Sequence, residues 1–251
     1  MIGVIARREL AAWFRSPLAW VVLAVVQALV AFVFLLHLEA YLELQSELRA
    51  EPGAPGATGY LVPRVFGAGA AILMLALPVV TMNLMAGEWQ RGSLPLLLSA
   101  PVATAEIVLG KYVALLGMLS ALVATLAVMP LALAAVAPID LGLLAVAIVG
   151  VWLFVAAVAA AGLYLSTLTR QATIAAISTL GLLLVLLLAG EWSGTLDGAL
   201  AEALRYPAPS THLLPFLSGL LDTRSLAYFA LFAALFITLS VRRLDNERLP
   251  G

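Results

Sequence analysis

Six long apolar runs, each nearly free of charge, constrain this chain more than any motif in it. A spanning helix needs about 20 mainly apolar residues. The runs Ser16 to Leu38, Val65 to Ala86, Tyr112 to Val136, Leu141 to Leu168, Ala172 to Ala189 and Ser225 to Val241 reach or approach that length. Hydrophobic residues make up 64% of the 251 and charged ones 11%, where soluble domains carry roughly 25% charged residues. No globular interior hides that much apolar surface, so lipid is the solvent for most of the chain. The fold class that follows is all-α: a polytopic membrane protein of six transmembrane helices. Pro78 and Pro130 fall inside two of the runs and are expected to kink them.

Orientation follows from Lys and Arg. With the amino terminus inside, Arg7, Arg8, Arg15, Arg91, Lys111, Arg170, Arg242, Arg243 and Arg248 lie on the cytoplasmic side, and Arg49, Arg64, Arg205 and Arg224 lie outside. Both termini are therefore expected in the cytoplasm. The first run follows an Arg-containing helix and exceeds the length of a signal-peptide core, so it reads as a retained span.

Ahead of that span, Ile2, Ile5, Ala6, Leu10, Trp13 and Phe14 recur on one helical face while Arg7, Arg8 and Arg15 take the other. Residues 1–15 thus form an interfacial amphipathic helix, and 16–251 the transmembrane domain. Glu9 falls within the apolar face. It is either a carboxylate snorkelling at the membrane edge or the buried partner of a cation, with Arg91 and Lys111 as candidates. Lys111 itself reads as a positive-inside anchor at the start of the third span.

Two outer connections, 39–64 and 190–224, contrast with a cytoplasmic one, 87–111. In the first, Glu39, Glu43 and Glu47 recur every four residues, so the first helix continues past the bilayer with an acidic, solvated stripe. The run from Glu51 to Gly59 is rich in Pro and Gly and reads as a loop. The second carries Trp192 and Tyr206 as interface anchors, and short helices returning into the outer leaflet are expected there. Gly142, Gly150, Gly162 and Gly181 are places where helices can approach closely.

Function classes narrow by chemistry. With no Cys, thiolate, zinc-cysteine and iron–sulfur chemistry is excluded, and a net charge of -1 gives no footprint for nucleic acid. His37 and His212, the two histidines, fall at outer helix ends as interfacial residues and not as bases facing a buried serine. The phosphate-cradling pattern G-x-x-x-x-G-K-[ST] is missing: Gly110-Lys111 is followed by Tyr112, and Ala105 stands where the first Gly belongs. The chain is therefore not expected to be an enzyme and needs no cofactor of its own.

The segment with most chemistry is Gly87 to Lys111, GEWQRGSLPLLLSAPVATAEIVLGK. It joins a charged cluster, Glu88 and Arg91, to an apolar run from Leu94 to Leu98 that is too short to cross a membrane. Thr104 suits an N-cap and Glu106 the first turn of the next helix. Exposed leucines there, Leu94, Leu96 and Leu97, require lipid or a protein partner as cover.

Taken with RREL and SPLAW at Arg7 to Leu10 and Ser16 to Trp20, LALPVVTM at Leu75 to Met82, GEWQRGSLPLLLSAPV and EIVLGKY within Gly87 to Tyr112, LYLSTLT at Leu163 to Thr169 and LLDTRSLAYF at Leu220 to Phe229, the chain resembles the ABC-2 type transporter permeases, and within them the gliding-motility-associated permease. It departs from the family pattern in having one acid fewer before Arg91 and Pro95 where a Glu is usual. The resemblance implies an exporter-like fold in which Ile2 to Arg15, with Arg7, Arg8, Glu9 and Trp13, is an elbow helix. Glu88, Arg91, Leu94, Leu96 and Leu97 would couple to a separate ABC ATPase, which binds ATP and Mg. It further implies two ATPase copies, a second permease copy or paralogue, an auxiliary envelope subunit of the gliding-motility type and a bacterial inner-membrane location. A secondary transporter or a non-transporting structural subunit is the alternative. The spans carry almost no charge at depth, where ion-coupled carriers place theirs.

Overall fold

In a computed structural model, residues 1–50, 56–94, 102–133, 139–195 and 198–248 are described, without the side chains of 46–50 and 200. Ten helices lie among them: α1 (Ile2–Arg15), α2 (Pro17–Ala50), α3 (Ala57–Thr81), α4 (Ala86–Gln90), α5 (Thr104–Leu133), α6 (Leu141–Leu168), α7 (Ala172–Ser193), α8 (Ala199–Arg205), α9 (Pro209–Leu217) and α10 (Thr223–Arg248). Six stretches are long and apolar enough to cross a membrane, seeded by α2, α3, α5, α6, α7 and α10. The all-helical, six-span fold expected from the runs is the fold found, with an amphipathic helix ahead of it.

α6 is the centre. It packs against α10, α3, α9, α5 and α7, and Val155 to Leu163 is buried on every side. Small residues, Ala156, Ala157, Ala159, Ala160, Ala161 and Gly162, make this possible because they let neighbouring backbones approach. A Cβ on Gly162 would stand 2.6 Å from Thr81 Oγ1, and one on Gly150 would strike Phe216 of α9. Gly181, by contrast, faces open space, and Gly142 meets only Asp140 of its own helix cap.

Several boundaries differ from those read in the sequence. α2 runs past Glu39, Glu43 and Glu47 to Ala50, about 51 Å at 1.5 Å per residue, as the acidic spacing predicts. α3 begins at Ala57, so Thr58 and Gly59 are helical and not loop, while 51–55 lie outside the described residues. Pro63 and Pro78 are accommodated within α3 and Pro130 near the end of α5. Ala103, not Thr104, precedes the first turn of α5 and accepts from Glu106 and Ile107 N–H. Thr104 is therefore already helical, and its buried hydroxyl has no partner among the described residues.

Candidate functional site

α1 lies along the first four turns of α5. Gly110 and Gly117 open a track for it: a Cβ at Gly110 would come within 2.8 Å of Ile5, and one at Gly117 within 3.0 Å of Leu10. The pattern read on α1 holds. Ala6 is buried, Ile5, Leu10, Trp13 and Phe14 pack on the core, and Arg7, Arg8 and Arg15 are exposed. Seating α1 on α5 brings Glu9 onto Lys111.

Lys111 is the largest departure from expectation. It is not an anchor reaching for headgroups: it is 1% exposed, because α5 starts at Thr104 and Lys111 falls two turns in, between Ile107, Val108 and Leu115, all buried. An unpaired ammonium there would be costly. Its Nζ donates to Glu9 Oε1 at 2.8 Å and to Glu88 Oε1 at 3.2 Å. Three elements distant in sequence, α1, α4 and α5, are thus joined through one buried cation. Of the two readings of Glu9, the structure has the cation-paired one, with Lys111 and not Arg91 as the cation.

Glu88 is held in place by its own helix end. α3 stops at Thr81, and the chain turns through Met82 to Met85 before α4. The break is stitched by Ser166 of α6, whose hydroxyl accepts from Met85 and Ala86 N–H at 3.1 and 3.0 Å and donates to the Met82 carbonyl at 3.0 Å. α4 then ends on Gly92, whose φ of 67° is left-handed and favours glycine. Gly92 N–H donates to the Trp89 carbonyl and Ser93 N–H to that of Glu88, each at 3.1 Å, the Schellman pattern of helix termination. The turn brings the Ser93 hydroxyl onto the free carboxylate oxygen of Glu88. Trp89 meanwhile lies under Arg170, 4.5 Å from guanidinium to ring centroid, which ties α4 to the α6–α7 connection.

The remaining coupling candidates divide. Gln90, Arg91 and Gly92 are exposed at the tip of the turn, with Arg91 Nε donating to the Gly87 carbonyl at 3.2 Å. Leu94 is fully buried in the core, so it is not an exposed anchor: the chain has already turned back into the bundle at that point. Leu96 and Leu97 lie outside the described residues. Ser166, Ser93 and Trp89 were not singled out as site residues, although Gly92 directly after a short polar stretch is a legible signal for the turn that positions two of them.

At the opposite end, α9 folds in over the core, with Phe216, Leu213 and Leu217 buried, while α8 packs beside α7. His212 stacks on Tyr228 at 3.9 Å between centroids. The Ser225 hydroxyl donates to Asp222 Oδ2 at 2.8 Å and sits 3.5 Å from His212 Nδ1. Asp222 also accepts from Arg224 and Ser225 N–H, capping α10. The Ser225 hydroxyl, with those amides, holds the Asp222 carboxyl below the usual carboxylate range. This is a helix cap beside an aromatic stack. The serine proton points at a carboxylate, whereas a nucleophile needs its proton on the base.

Five candidate spans about a sixth, the small-residue helix α6, with an amphipathic helix ahead of them and a broken helix end, make a multi-pass membrane protein. The model of the ABC-2 family transporter proteins matches residues 4–236, and the chain belongs to that family. A search among curated proteins gives no match.

Proposed function

We propose that this chain is the membrane-spanning permease subunit of an ATP-driven exporter, and that α1, α4 and the start of α5 move as one body when a separate ATPase closes on the α4 turn. The observation that carries the reading is Lys111, buried and shared by Glu9 and Glu88. A charge placed so deep is retained for what it holds together, since a buried ion pair by itself adds little stability. The exposed tip at Gln90, Arg91 and Gly92, with the segment from Pro95 to Pro101 but without the buried Leu94, is the ATPase contact. Lys and Arg asymmetry puts this end, and both termini, in the cytoplasm, where ATP and Mg are bound by the partner. Two ATPases and two permeases make the complex, and the motif likeness favours the gliding-motility type, with an auxiliary envelope subunit.

Copurification tests this reading. Arg91→Glu and Leu96→Asp are expected to insert and fold yet lose the ATPase, with affinity falling about thirtyfold for a contact of roughly 2 kcal/mol. Wild-type ATPase stoichiometry and stimulated hydrolysis in both variants would remove the α4 segment as the coupling surface.

A further inference from the structure

A cavity of about 330 Å³ lies where α1, α2, α3, α4 and α5 meet. Its lining is divided by chemistry. Glu9, Asn83, Glu88 and Arg91 stand toward the α1 and α4 end, and Val22, Val79, Val80 and Met118 line it farther into the bundle. The register sets this division. Val79 and Val80 lie on the last turn of α3, just before Asn83 in the break that follows it, and Met118 is two turns deeper than Lys111 on α5. The mouth opens sideways: Leu18 is 43% exposed and Val79 37% exposed at its rim, on spans whose outer faces meet lipid. An interfacial α1 sets the polar end at headgroup depth.

The charges facing the cavity are of both signs. Lys111 lies behind it and offsets one of the two carboxylates, so the Glu9–Glu88–Lys111 cluster keeps one net negative charge. Arg91 uses its Nε on the Gly87 carbonyl, and its terminal nitrogens have no acceptor among the described residues. An anion alone would meet the carboxylates, and a cation alone would meet Arg91. A ligand that satisfies both ends carries an ammonium and a phosphate on one apolar stem.

We propose that this cavity binds a membrane phospholipid with a primary-amine headgroup, of the phosphatidylethanolamine type. The ammonium donates to Glu9 and Glu88, the phosphate accepts from Arg91, and the first part of an acyl chain lies among Val22, Val79 and Met118. The volume is at the low end of small-molecule pockets, roughly 300–1,000 Å³, enough for a headgroup and the beginning of a chain whose remainder stays in the bilayer. Such a lipid touches α1, α2, α3, α4 and α5 together and braces the ion cluster from its open side. The site shares Arg91 with the proposed ATPase contact, but lipid binding to the purified protein requires no ATPase, so the two readings are tested apart.

Native mass spectrometry of the purified full-length protein, exchanged with mixed micelles of equal parts phosphatidylethanolamine, phosphatidylcholine and phosphatidylglycerol, tests it. Phosphatidylethanolamine is expected to be retained over both others, since phosphatidylcholine cannot donate from its quaternary nitrogen and phosphatidylglycerol has no cation. Arg91→Gln should lower that retention about tenfold, the loss of one charged hydrogen bond, and Val79→Trp should lower it by filling the apolar end. Both positions are exposed enough for the variants to fold, which thermal melting verifies. Val25→Trp, on an exposed face of α2 outside the cavity, should change nothing. Equal retention of the three lipids, a preference for phosphatidylglycerol, or retention that survives both Arg91→Gln and Val79→Trp would overturn the proposal.

Discussion

The two ends of this bundle are fastened by different physics. At the α1 and α4 end, the fastening is a buried ammonium between two carboxylates, and it links residues 102 and 23 positions apart. At the α8 and α9 end, it is shape: Phe216 against Gly150, His212 on Tyr228, and helix caps made by neighbours in sequence. Apolar packing tolerates graded change, because each lost contact is small. An ion cluster does not, because removing one partner strands the others in low dielectric. The end proposed to meet the ATPase is thus the end whose integrity depends on a few charges.

Breaking the cluster gives the largest expected effect. Lys111→Met removes the buried cation that Glu9 and Glu88 share and should destabilise the protein by about 3–5 kcal/mol, read as a lowered unfolding midpoint in detergent. The triple variant Glu9→Gln, Glu88→Gln, Lys111→Met should recover most of that loss, since a neutral cluster carries no stranded charge. If it does not, the charges contribute more than mutual compensation. Ser166→Ala comes next. It strips the acceptor from two buried amides at the α3–α4 break, and the expected cost is about 2 kcal/mol.

At the other end the effects should be smaller and graded. Gly150→Leu drives a side chain into Phe216 and is expected to cost about 1–3 kcal/mol by overpacking, without altering any ATPase interaction. A change as large as that of Lys111→Met would erase the contrast between the ends. Arg8→Gln, on the exposed face of α1, should fall within about 0.5 kcal/mol of wild type.

How much of this was legible depends on what carries the signal. The spans were readable because lipid demands long apolar runs, and α1 because its two faces differ so sharply in charge. Glu9 stood out as the one acid on an apolar face. Its partner is legible only as one of two candidate cations, Arg91 and Lys111, because the third apolar run begins at Tyr112 and leaves Lys111 in the charged stretch before it. Only when the helix that opens at Thr104 continues unbroken into that run does Lys111 fall on the face of Ile107, Val108 and Leu115 and read as buried. Leu94 reads as exposed in the sequence and is buried in the structure, because the turn at Gly92 returns the chain to the core, and hydrophobicity alone does not say which way a leucine faces. Ser166 was visible only as a polar residue in a span. Its role depends on where a different helix breaks.

The claim that α1, α4 and the start of α5 move as one body is tested most directly by a distance. The chain has no Cys, so spin labels can be placed at Arg8→Cys on α1 and Gln90→Cys on α4, both exposed, in the complex with its ATPase, with and without ATP. The intra-subunit distance, isolated by diluting labelled permease into unlabelled copies, is expected to be sharp and the same in both states, and to broaden when Lys111→Met is added. A wild-type distance that shifts by several ångströms on ATP binding, with the ion cluster intact, would contradict it.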